Sequence, residues 1–555
     1  MAYKAQKIFQ PISGIITIGL LVAFPKIYWT KQILDTQPRK LILISYLLLL
    51  FFFLYYFLSV EIPKNENISW DIKIGKRSRY FILGVLFLLA GIYSYQIYAP
   101  SDDAFIFLVY AKNLINGNGL TFNGAIVEGF SSPLWVALLS LFGLTGIPLP
   151  LLAQILSALS GLLAIVSTYL LAKKFIPETS WAILAPLILI SSGDFTFYMG
   201  VGLEQILFTG LVAISTAHLI EDPEQALRSY KLPILLTLTI LTRPEGALIS
   251  AGLLLWTVYL TRSITLPFLC GLRLTFLLTP VMIIKRLYYG YWFPNTYYVK
   301  SQAGFANLDH GIEYLYRNAP HFLIIFLLFA VFLIFSLKLK RLEYFKKATP
   351  LLLICLIWIG YVIINGGDNL VGARLLVPIL PLLYIALLII VRENLPSFRS
   401  AILVSTIAVT GLLSGYIQDP NTQAHAERWR RGFLVRQKAG LYLKDNFSSE
   451  TLVALNPAGV IPYFSELPTI DMLGLNDIYI AHQGKRDHSL LFGHQAGDGE
   501  YVLSLEPVVI LFGGGVSKNP GGFISDREIW ESDVFQTTYQ LKTWPGIGYA
   551  YVRIK

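Results

Sequence analysis

The sequence predicts an α-helical polytopic membrane protein that ends in a soluble α/β domain. Its 555 residues have a mean hydropathy of +0.59, and 55% of them are hydrophobic whereas only 14% are charged. Soluble proteins carry about 25% charged residues, so this composition argues against a soluble or disordered chain. Apolar runs of about 20 residues, the length that crosses a bilayer, recur as far as residue 416. Residues 417–555 are polar and contain short β-rich runs.

The apolar runs define the predicted membrane spans. The first two would form an additional hairpin within residues 1–79, and the others would build a membrane domain over 80–416. Pro244 interrupts a long apolar stretch, and because proline removes a helical hydrogen bond, TRPEG at 242–246 predicts a turn between two short spans. The predicted spans are 11–30, 41–60, 80–98, 151–172, 181–199, 203–220, 231–243, 246–261, 264–284, 321–338, 349–365, 374–391 and 398–416.

Clusters of lysine and arginine orient these spans, because cytoplasmic loops are enriched in both residues. The clusters at span ends are 73–79, Lys173 with Lys174, 337–347, Arg392 and Arg399. They share one side of the membrane only if the apolar run 131–147 does not cross it, so we predict a flat amphipathic helix there, at the outer interface. The basic residues between 26 and 40 conflict with this scheme, and the orientation of the first hairpin stays open.

The net charge of +10 comes largely from such clusters, so it indicates no nucleic-acid partner. Both cysteines, Cys270 and Cys355, lie inside hydrophobic runs and carry no redox or metal pattern. No nucleotide-binding motif such as GxxxxGK[ST] occurs.

Two adjacent aspartates follow the span 80–98, in APSDDAF at 99–105. Asp102 and Asp103 repel each other, and burial would raise the pKa of one of them, which is a way to prepare a general base. The alternative is structural, because Ser101 or Asp102 can cap a helix and Asp103 suits its first turn. The two roles are compatible, since a capping carboxylate is also held in place.

Other polar residues gather on the predicted outer side. They are candidates for binding an acceptor or a sugar, and the alternative for each acid is a solvated or interfacial position. Aromatic rings in YYGYWFPNTYYVK at 288–300 are either interfacial anchors or platforms for sugar faces. The candidates are Glu128, Glu204, Asn295, Tyr297, Tyr298, Asp368 and Asn369.

Four cations lie on the same side and are candidates for holding a lipid phosphate. Lys285 and Arg286 oppose the positive-inside tendency, so they call for an anion. Arg374 lies at a predicted helix start, where a cation is unfavourable, and either Asp368 or a phosphate would compensate it. Arg243 would hold a phosphate or pair with Glu245, because charges at membrane depth usually pair.

At these residues the chain resembles the GT-C superfamily of integral membrane glycosyltransferases. Within it, the chain is most similar to the bacterial branch that includes the mycobacterial terminal arabinofuranosyltransferases. The similar segments are SDDAFIFLVYAKNLINGNGLTFN at 101–123, VEGFSSPLW at 127–135, VGLEQILF at 201–208, LTRPEGAL at 241–248, YYGYWFPNTYYVK at 288–300, GGDNLVGARLLVPILP at 366–381 and NPAGVIPYFSELPTIDMLGLND at 456–477.

The resemblance implies a GT-C fold and inverting transfer of a sugar from a polyprenyl-phosphate donor to a glycan, lipid or protein acceptor. The reaction would occur on the extracytoplasmic face of the plasma membrane. An acid of the first outer loop serves as base in this superfamily, which carries over to Asp102 or Asp103, with Asp102 favoured as the first acid after the span. The outer loop 99–150 would hold the family's juxtamembrane helix. The DDA sequence lacks the spaced acid–x–acid pattern of some metal-dependent relatives, so a divalent cation is only an option.

The polar region 417–555 predicts an extracytoplasmic α/β domain. A helix is expected at about 425–445, and strands at 451–455, 507–512, 537–543 and 548–554, with WPGIG at 544–548 turning between the last two. His482, His488 and His494 with Asp487 match no standard metal spacing, so docking of the acceptor is the favoured role of this domain.

Two other functions fit parts of the sequence. A transporter or flippase for lipid-linked sugars would also need outer cations, but it predicts inverted repeats, which the sequence does not display, and it leaves the soluble domain unexplained. A non-catalytic glycan-assembly protein would use the aspartates only as helix caps. A transfer assay on purified protein separates both from an enzyme.

Overall fold

The computed structural model describes residues 75–301, 307–338, 342–395, 398–490 and 493–554. The predicted N-terminal hairpin, with spans 11–30 and 41–60, lies outside these residues. The described part up to residue 418 is built mainly of helices, as the apolar periodic runs require, and the part after it contains a sheet.

The helices of the membrane part follow the predicted apolar runs closely. Their bounds are α1 Lys76–Ile97, α2 Asp102–Ile115, α3 Pro133–Gly143, α4 Leu149–Phe175, α5 Thr179–Ala182, α6 Leu184–Ser191, α7 Gly193–Val201, α8 Gln205–Glu221, α9 Pro223–Arg228, α10 Lys231–Thr242, α11 Gly246–Thr261, α12 Thr265–Tyr289, α13 Asn295–Ser301, α14 Leu308–Lys338, α15 Thr349–Ile364, α16 Leu380–Asn394 and α17 Phe398–Gln418. Short 3₁₀ helices at Leu342–Phe345 and Arg374–Ile379 precede α15 and α16.

Six of these helices are long and apolar enough to cross a membrane, within the described residues. They are α1, α4, α12, α14, α16 with its 3₁₀ extension, and α17. The pair α5–α6 and α7 would be a seventh span, but it bends by 68° at Ser192. Shorter apolar helices, including α8, α10, α11 and α15, pack among them. The chain is therefore a multi-pass membrane protein.

Four features of the spans differ from the prediction. The predicted spans 203–220, 231–243, 246–261 and 349–365 form apolar helices of at most 17 residues, shorter than the six membrane-crossing ones. The run 181–199 is broken at Ser192 rather than straight, and beyond the break Gly193 lies so close to the Tyr416 ring that a Cβ atom would collide with it. Helix α14 begins at Leu308, not at 321. Helix α12 continues to Tyr289, so Lys285 and Arg286 belong to its last turns rather than to a loop.

The apolar run 131–147 forms the short helix α3, as predicted for a segment that does not cross. Its 11 residues extend only about 16 Å at 1.5 Å per residue, roughly half of the hydrocarbon thickness. Ser132 caps the helix by accepting a hydrogen bond from the Trp135 N–H at 3.4 Å. Trp135 is fully buried and donates to the Gly202 carbonyl at 3.2 Å, so it anchors α3 to the helix bundle.

Ion pairs show that three of the basic clusters share one side of the bundle. Lys174 pairs with Glu221 at 2.7 Å, and Arg392 pairs with Glu178 at 2.6 Å. Lys347 extends the same group through Glu393 at 2.7 Å. The aspartate pair and the soluble domain lie at the opposite helix ends.

The soluble domain begins with α18 Pro420–Asn446 and contains a five-stranded sheet in the order β2-β1-β5-β7-β6. Strands β1, β2 and β5 are parallel, and β7 pairs antiparallel with both β5 and β6. The predicted helix and the four predicted strands are present, whereas β2, β3 and β4 were not predicted. The elements are β1 Val453–Leu455, α19 Val460–Ser465, β2 Thr469–Asp471, α20 Ile478–Gln483, β3 Lys485–Arg486, β4 Ala496–Gly497, α21 Gly499–Ser504, β5 Val509–Leu511, α22 Ile524–Glu531, α23 Asp533–Thr538, β6 Tyr539–Trp544 and β7 Gly548–Arg553.

Polar contacts attach the soluble domain to the outer loops. The Asn295 side chain donates to the carbonyls of Gly474 at 2.7 Å and Asp477 at 2.9 Å. The Tyr110 hydroxyl lies 3.0 Å from the Asn476 side-chain oxygen. Because these groups are mostly buried, the carboxyl edge of the parallel strands is held against the membrane part.

The contact between α14 and α15 depends on one glycine. A Cβ atom on Gly311 would lie 2.1 Å from the Ile363 carbonyl oxygen, which is backbone and cannot move aside. Gly311→Ala should therefore lower the free energy of unfolding by about 1–3 kcal/mol and reduce Tm. The control is Gly360→Ala on α15, where a Cβ would meet nothing within 4 Å. Equal Tm values for the two variants in detergent would contradict this packing.

Candidate active site

A cavity of about 550 Å³ lies between the membrane part and the soluble domain. The membrane part contributes the start of α2, the upper turns of α14 and the loop before Arg374. The soluble domain contributes one face of α18 and the loops that follow β1, β2 and β5. The predicted aspartates and residues far along the chain therefore share one space.

The soluble-domain wall is the carboxyl edge of the parallel strands. Asn456 to Ala458 follow β1, Leu473 and Leu475 follow β2, and Gly513 and Gly514 follow β5. The chain leaves β1 toward β2 on one side, whereas β5 lies on the other side of β1. Ligands of open parallel sheets bind at such a point, where the strand order reverses.

Asp102 docks the two parts together. One carboxylate oxygen accepts a hydrogen bond from the Gly459 N–H at 2.9 Å, and the other accepts from the Val460 N–H at 3.1 Å. Arg436 approaches the same carboxylate at 3.5 Å. Both oxygens of Asp102 are therefore used by the loop after β1 and by α18.

Asp103 has different surroundings, although it is the next residue. It lines the cavity half-buried, and its carboxylate has no hydrogen-bond donor among the described residues. Burial raises the pKa of Asp103 above its ordinary value, although the nearby Arg374 and Lys300 cations act in the opposite direction. A free carboxylate of raised pKa facing a cavity is suited to accept a proton.

The four cations that the sequence suggested for phosphate binding do not line this cavity. Three of them are paired: Arg243 with Glu204 at 2.6 Å and with Glu245, Lys285 with Glu128 at 2.6 Å, and Arg374 with Asp368 at 2.6 Å. Arg286 is exposed, donates to the Gly290 carbonyl and lies over the Trp292 ring. Pairing follows from burial, because a buried charge is costly unless an opposite charge compensates it.

Most residues suggested for acceptor or sugar binding are engaged elsewhere. Burial raises the pKa of Glu128 to about 6 against the effect of Lys285. Tyr298 packs on the His482 ring, and Tyr297 packs on Phe293 at the surface. Asn369 lines the cavity.

Asp368 lies beside the cavity rather than in its lining. Burial alone would raise its pKa, but the cations Arg374, Lys300 and Arg243 together hold the pKa of Asp368 below its ordinary value. Asp368 therefore stays ionised and holds Arg374 in place through the 2.6 Å contact. The sequence offered either Asp368 or a phosphate as the anion that compensates Arg374, and the structure shows Asp368 in that position.

Three other arginines supply the positive charge of the cavity. Arg317 donates to the Asp368 carbonyl at 2.8 Å, and Arg436 donates to the Gly514 carbonyl at 2.9 Å. Arg428 has no ion pair or hydrogen bond within the described part of the chain. The predicted site did not include α18, although the sequence contained a pattern that points to it. His425, Arg428 and Arg436 recur at helical spacing, so they lie on one face of the helix.

The two histidines of the cavity do not add charge at neutral pH. Burial, with Arg428 and Arg317 nearby, lowers the pKa of His425 to about 4. Burial and Lys300 lower the pKa of His494 to about 4. Two buried polar atoms of lining residues, Ser101 Oγ and Asn456 Oδ1, also have no partner among the described residues. The cavity therefore suits an anionic ligand that also carries hydroxyl groups.

The described residues offer no set of metal ligands. No group of three or more His, Cys, Asp or Glu side chains within the described ranges is placed to hold an ion. Asp102 already accepts two backbone N–H groups, and the His482 ring stacks against Tyr291.

Comparisons with known proteins agree with this architecture. Residues 421–551 match a family described as a domain of unknown function (DUF8728). No curated protein matches the sequence.

ArnT from Cupriavidus metallidurans, solved with undecaprenyl phosphate, superposes with a TM-score of 0.53 at 12% identity, over 72% of this chain and 86% of that one. The apo oligosaccharyltransferase of Archaeoglobus fulgidus gives a TM-score of 0.51 at 12% identity, over 88% and 75%. The chain has the GT-C fold that these proteins share.

The docking role of Asp102 can be tested separately from catalysis. Asp102→Ala leaves the Gly459 and Val460 N–H groups unpaired, so it should cost about 1–3 kcal/mol and lower Tm. Asp102→Asn keeps one acceptor oxygen and should cost less. The control is Asp445→Ala on the exposed face of α18. If Asp102→Ala and Asp445→Ala unfold at the same temperature in detergent, Asp102 does not dock the domain.

Proposed function

We propose that the protein transfers a sugar from a polyprenyl-phosphate donor to a glycan, lipid or protein acceptor within this cavity. The observation that carries the proposal is the position of Asp103, a carboxylate without a partner among the described residues, in one cavity with Arg317 and Arg428. The GT-C fold supports it, and ArnT, which has this fold, was solved with undecaprenyl phosphate.

Asp103 is the base in this proposal. It would accept the proton of the acceptor hydroxyl as the hydroxyl oxygen attacks the anomeric carbon. Asp102, the first acid after the span, is less suited because both of its oxygens already accept backbone hydrogen bonds. A single displacement by the acceptor would break the bond to the phosphate and invert the anomeric centre.

The donor phosphate is assigned to the arginines of the cavity. A phosphate leaving group is a weak base, so it needs positive charge more than a proton. Arg428 is free of ion pairs within the described ranges, and Arg317 lies on the facing helix α14. Lys300 is close enough to influence the pKa of Asp103 and would add to the positive potential.

The acceptor is assigned to the side of the soluble domain. Asn456 and the glycines after β5 line that wall, and the Asn456 amide is oriented because its nitrogen donates to Asp526 at 2.8 Å. Its carbonyl oxygen is left to accept a hydroxyl hydrogen. Membership of the branch that includes the mycobacterial terminal arabinofuranosyltransferases is a narrower proposal than membership of the GT-C superfamily. It does not decide which sugar is transferred.

The cavity is assigned to the extracytoplasmic side of the plasma membrane. The basic clusters share the opposite side of the bundle, and positive residues favour the cytoplasm. On this side a lipid-linked donor reaches the cavity directly from the membrane, whereas nucleotide sugars are scarce.

The base can be tested with matched variants. Asp103→Asn should reduce transfer from a radiolabelled polyprenyl-phosphate sugar by about 100-fold or more, with Tm unchanged. Asp102→Asn should lower Tm and reduce transfer less. Full activity of Asp103→Asn in purified protein would remove the proposed base.

Phosphate binding can be tested on α18. Arg428→Ala should raise KM for the donor about 10- to 100-fold, since a charge-assisted hydrogen bond contributes about 1.5–3 kcal/mol. Arg431→Ala is the control, because that side chain is 80% exposed and pairs with Glu427. If both variants keep the wild-type KM, the donor phosphate binds elsewhere.

A further inference from the structure

A buried histidine joins three elements beneath the cavity. The His321 Nδ1 atom lies 2.9 Å from an oxygen of Asp194 on α7, and its Nε2 atom lies 3.3 Å from an oxygen of Asp419, which caps α18. His321 and Asp194 are each 1% exposed. We name these three residues the histidine bridge, and none of them lines the cavity or has a role in the reaction proposed above.

The hydrogen-bond partners of His321 indicate how many protons its ring carries. Asp194 also accepts from the Ala373 N–H at 2.7 Å, and Asp419 accepts from the Thr422 N–H at 2.9 Å. An ionised carboxylate is only an acceptor, so a nitrogen that faces it must carry a proton. Both nitrogens of His321 face carboxylates, and a doubly protonated ring satisfies both.

Two other arrangements of protons are compatible with the distances. A protonated Asp194 or Asp419 could donate to a neutral ring, but the proton would then sit on the weaker base of the pair, since the ordinary pKa of aspartate is about 3.9 and that of histidine about 6.5. The Thr422 hydroxyl lies 3.3 Å from Nε2 and could donate to a neutral ring. That arrangement leaves an unshared electron pair of Nε2 facing Asp419 and two buried carboxylates without a cation. Among the described residues, the other titratable groups that interact with Asp194 are Tyr198, Tyr314, Tyr384 and Tyr416, and the Tyr416 ring centre lies 5.1 Å from that of His321. Burial of uncompensated charge is costly, so the doubly protonated ring is favoured.

Each element joined by the bridge carries residues of the cavity lining. Helix α14 carries Arg317 and Asn318 within about one turn of His321. Asp194 holds Ala373, which follows the lining residue Gly372. Asp419 begins α18, which carries Arg428. Displacement at the bridge would therefore move the two proposed phosphate ligands relative to each other.

We propose that His321 is a positioning residue whose doubly protonated ring, shared by Asp194 and Asp419, holds the phosphate-binding faces of α14 and α18 in register. The role in phosphate binding rests on the proposed function, whereas the charged bridge between the three elements is a property of the folded chain alone.

The protonation state is measured by nitrogen NMR. Full-length protein labelled with ¹⁵N-histidine has 7 histidines, and comparison with His321→Gln identifies the His321 signals. At pH 8 both ring nitrogens of His321 should resonate as protonated imidazolium nitrogens. A neutral-tautomer pattern at pH 8 would overturn the proposal, since the ring would then accept from Thr422.

The charge coupling is measured by a double-mutant cycle on Tm in ligand-free protein. His321→Gln should lower Tm by about 5 °C, because it leaves two buried carboxylates without their cation. Asp419→Asn should lower Tm alone but raise it in the His321→Gln background, and asparagine still caps α18. His218→Gln, near the basic end of the bundle, is the control. If Asp419→Asn lowers Tm equally in both backgrounds, the bridge carries no such charge coupling. The NMR experiment and the Tm cycle both use protein without donor or acceptor. Their results therefore stand even if the transfer assay shows no activity.

Discussion

The two hydrogen bonds from Gly459 and Val460 to Asp102 are the interaction on which the rest of the site depends. They bring the carboxyl edge of the parallel sheet against the first outer helix of the membrane part. A carboxylate that accepts two backbone N–H groups forms charge-assisted bonds, which are stronger than neutral ones. With this contact in place, the loops after β1 and β5 close one wall of the cavity and Asp103 faces into it.

Adjacent aspartates thus divide two tasks between them. One is saturated by backbone donors, and the other remains without a partner among the described residues beside a positive surface. Neighbouring residues at a helix start point in different directions, so a two-residue acidic motif can dock one domain and leave one carboxylate free. The division explains how a single cavity combines a firm interface with a carboxylate that has no hydrogen-bond donor among the described residues.

The cations of the outer side fall into two groups: those that pair with a carboxylate, and those that do not. Arg243, Lys285 and Arg374 each contact a carboxylate at 2.6 Å and hold helices and loops together. Arg428 lies on an amphipathic helix of the soluble domain and has no such contact within the described ranges. The histidine bridge applies the same rule beneath the cavity, where one cation shared by two acids joins elements from distant parts of the chain. Of the arginines that line the cavity, Arg317 and Arg428 contact no carboxylate within the described ranges, so their charge is not compensated by an acid.

The sequence by itself determined the properties that depend on local pattern. Apolar runs located the helices of the described membrane part, basic clusters indicated their common side, and short β-rich runs located β1, β5, β6 and β7. The residues of the outer side were also recognisable, including the aspartate pair. Tertiary structure alone decided which charges pair, because the partners are remote: Asp102 and Gly459 are 357 positions apart, and Arg243 and Glu204 are 39 apart. Pairing energy depends on distance and burial, neither of which a linear pattern contains, so only the folded chain distinguishes Asp103 and Arg428 from their neighbours.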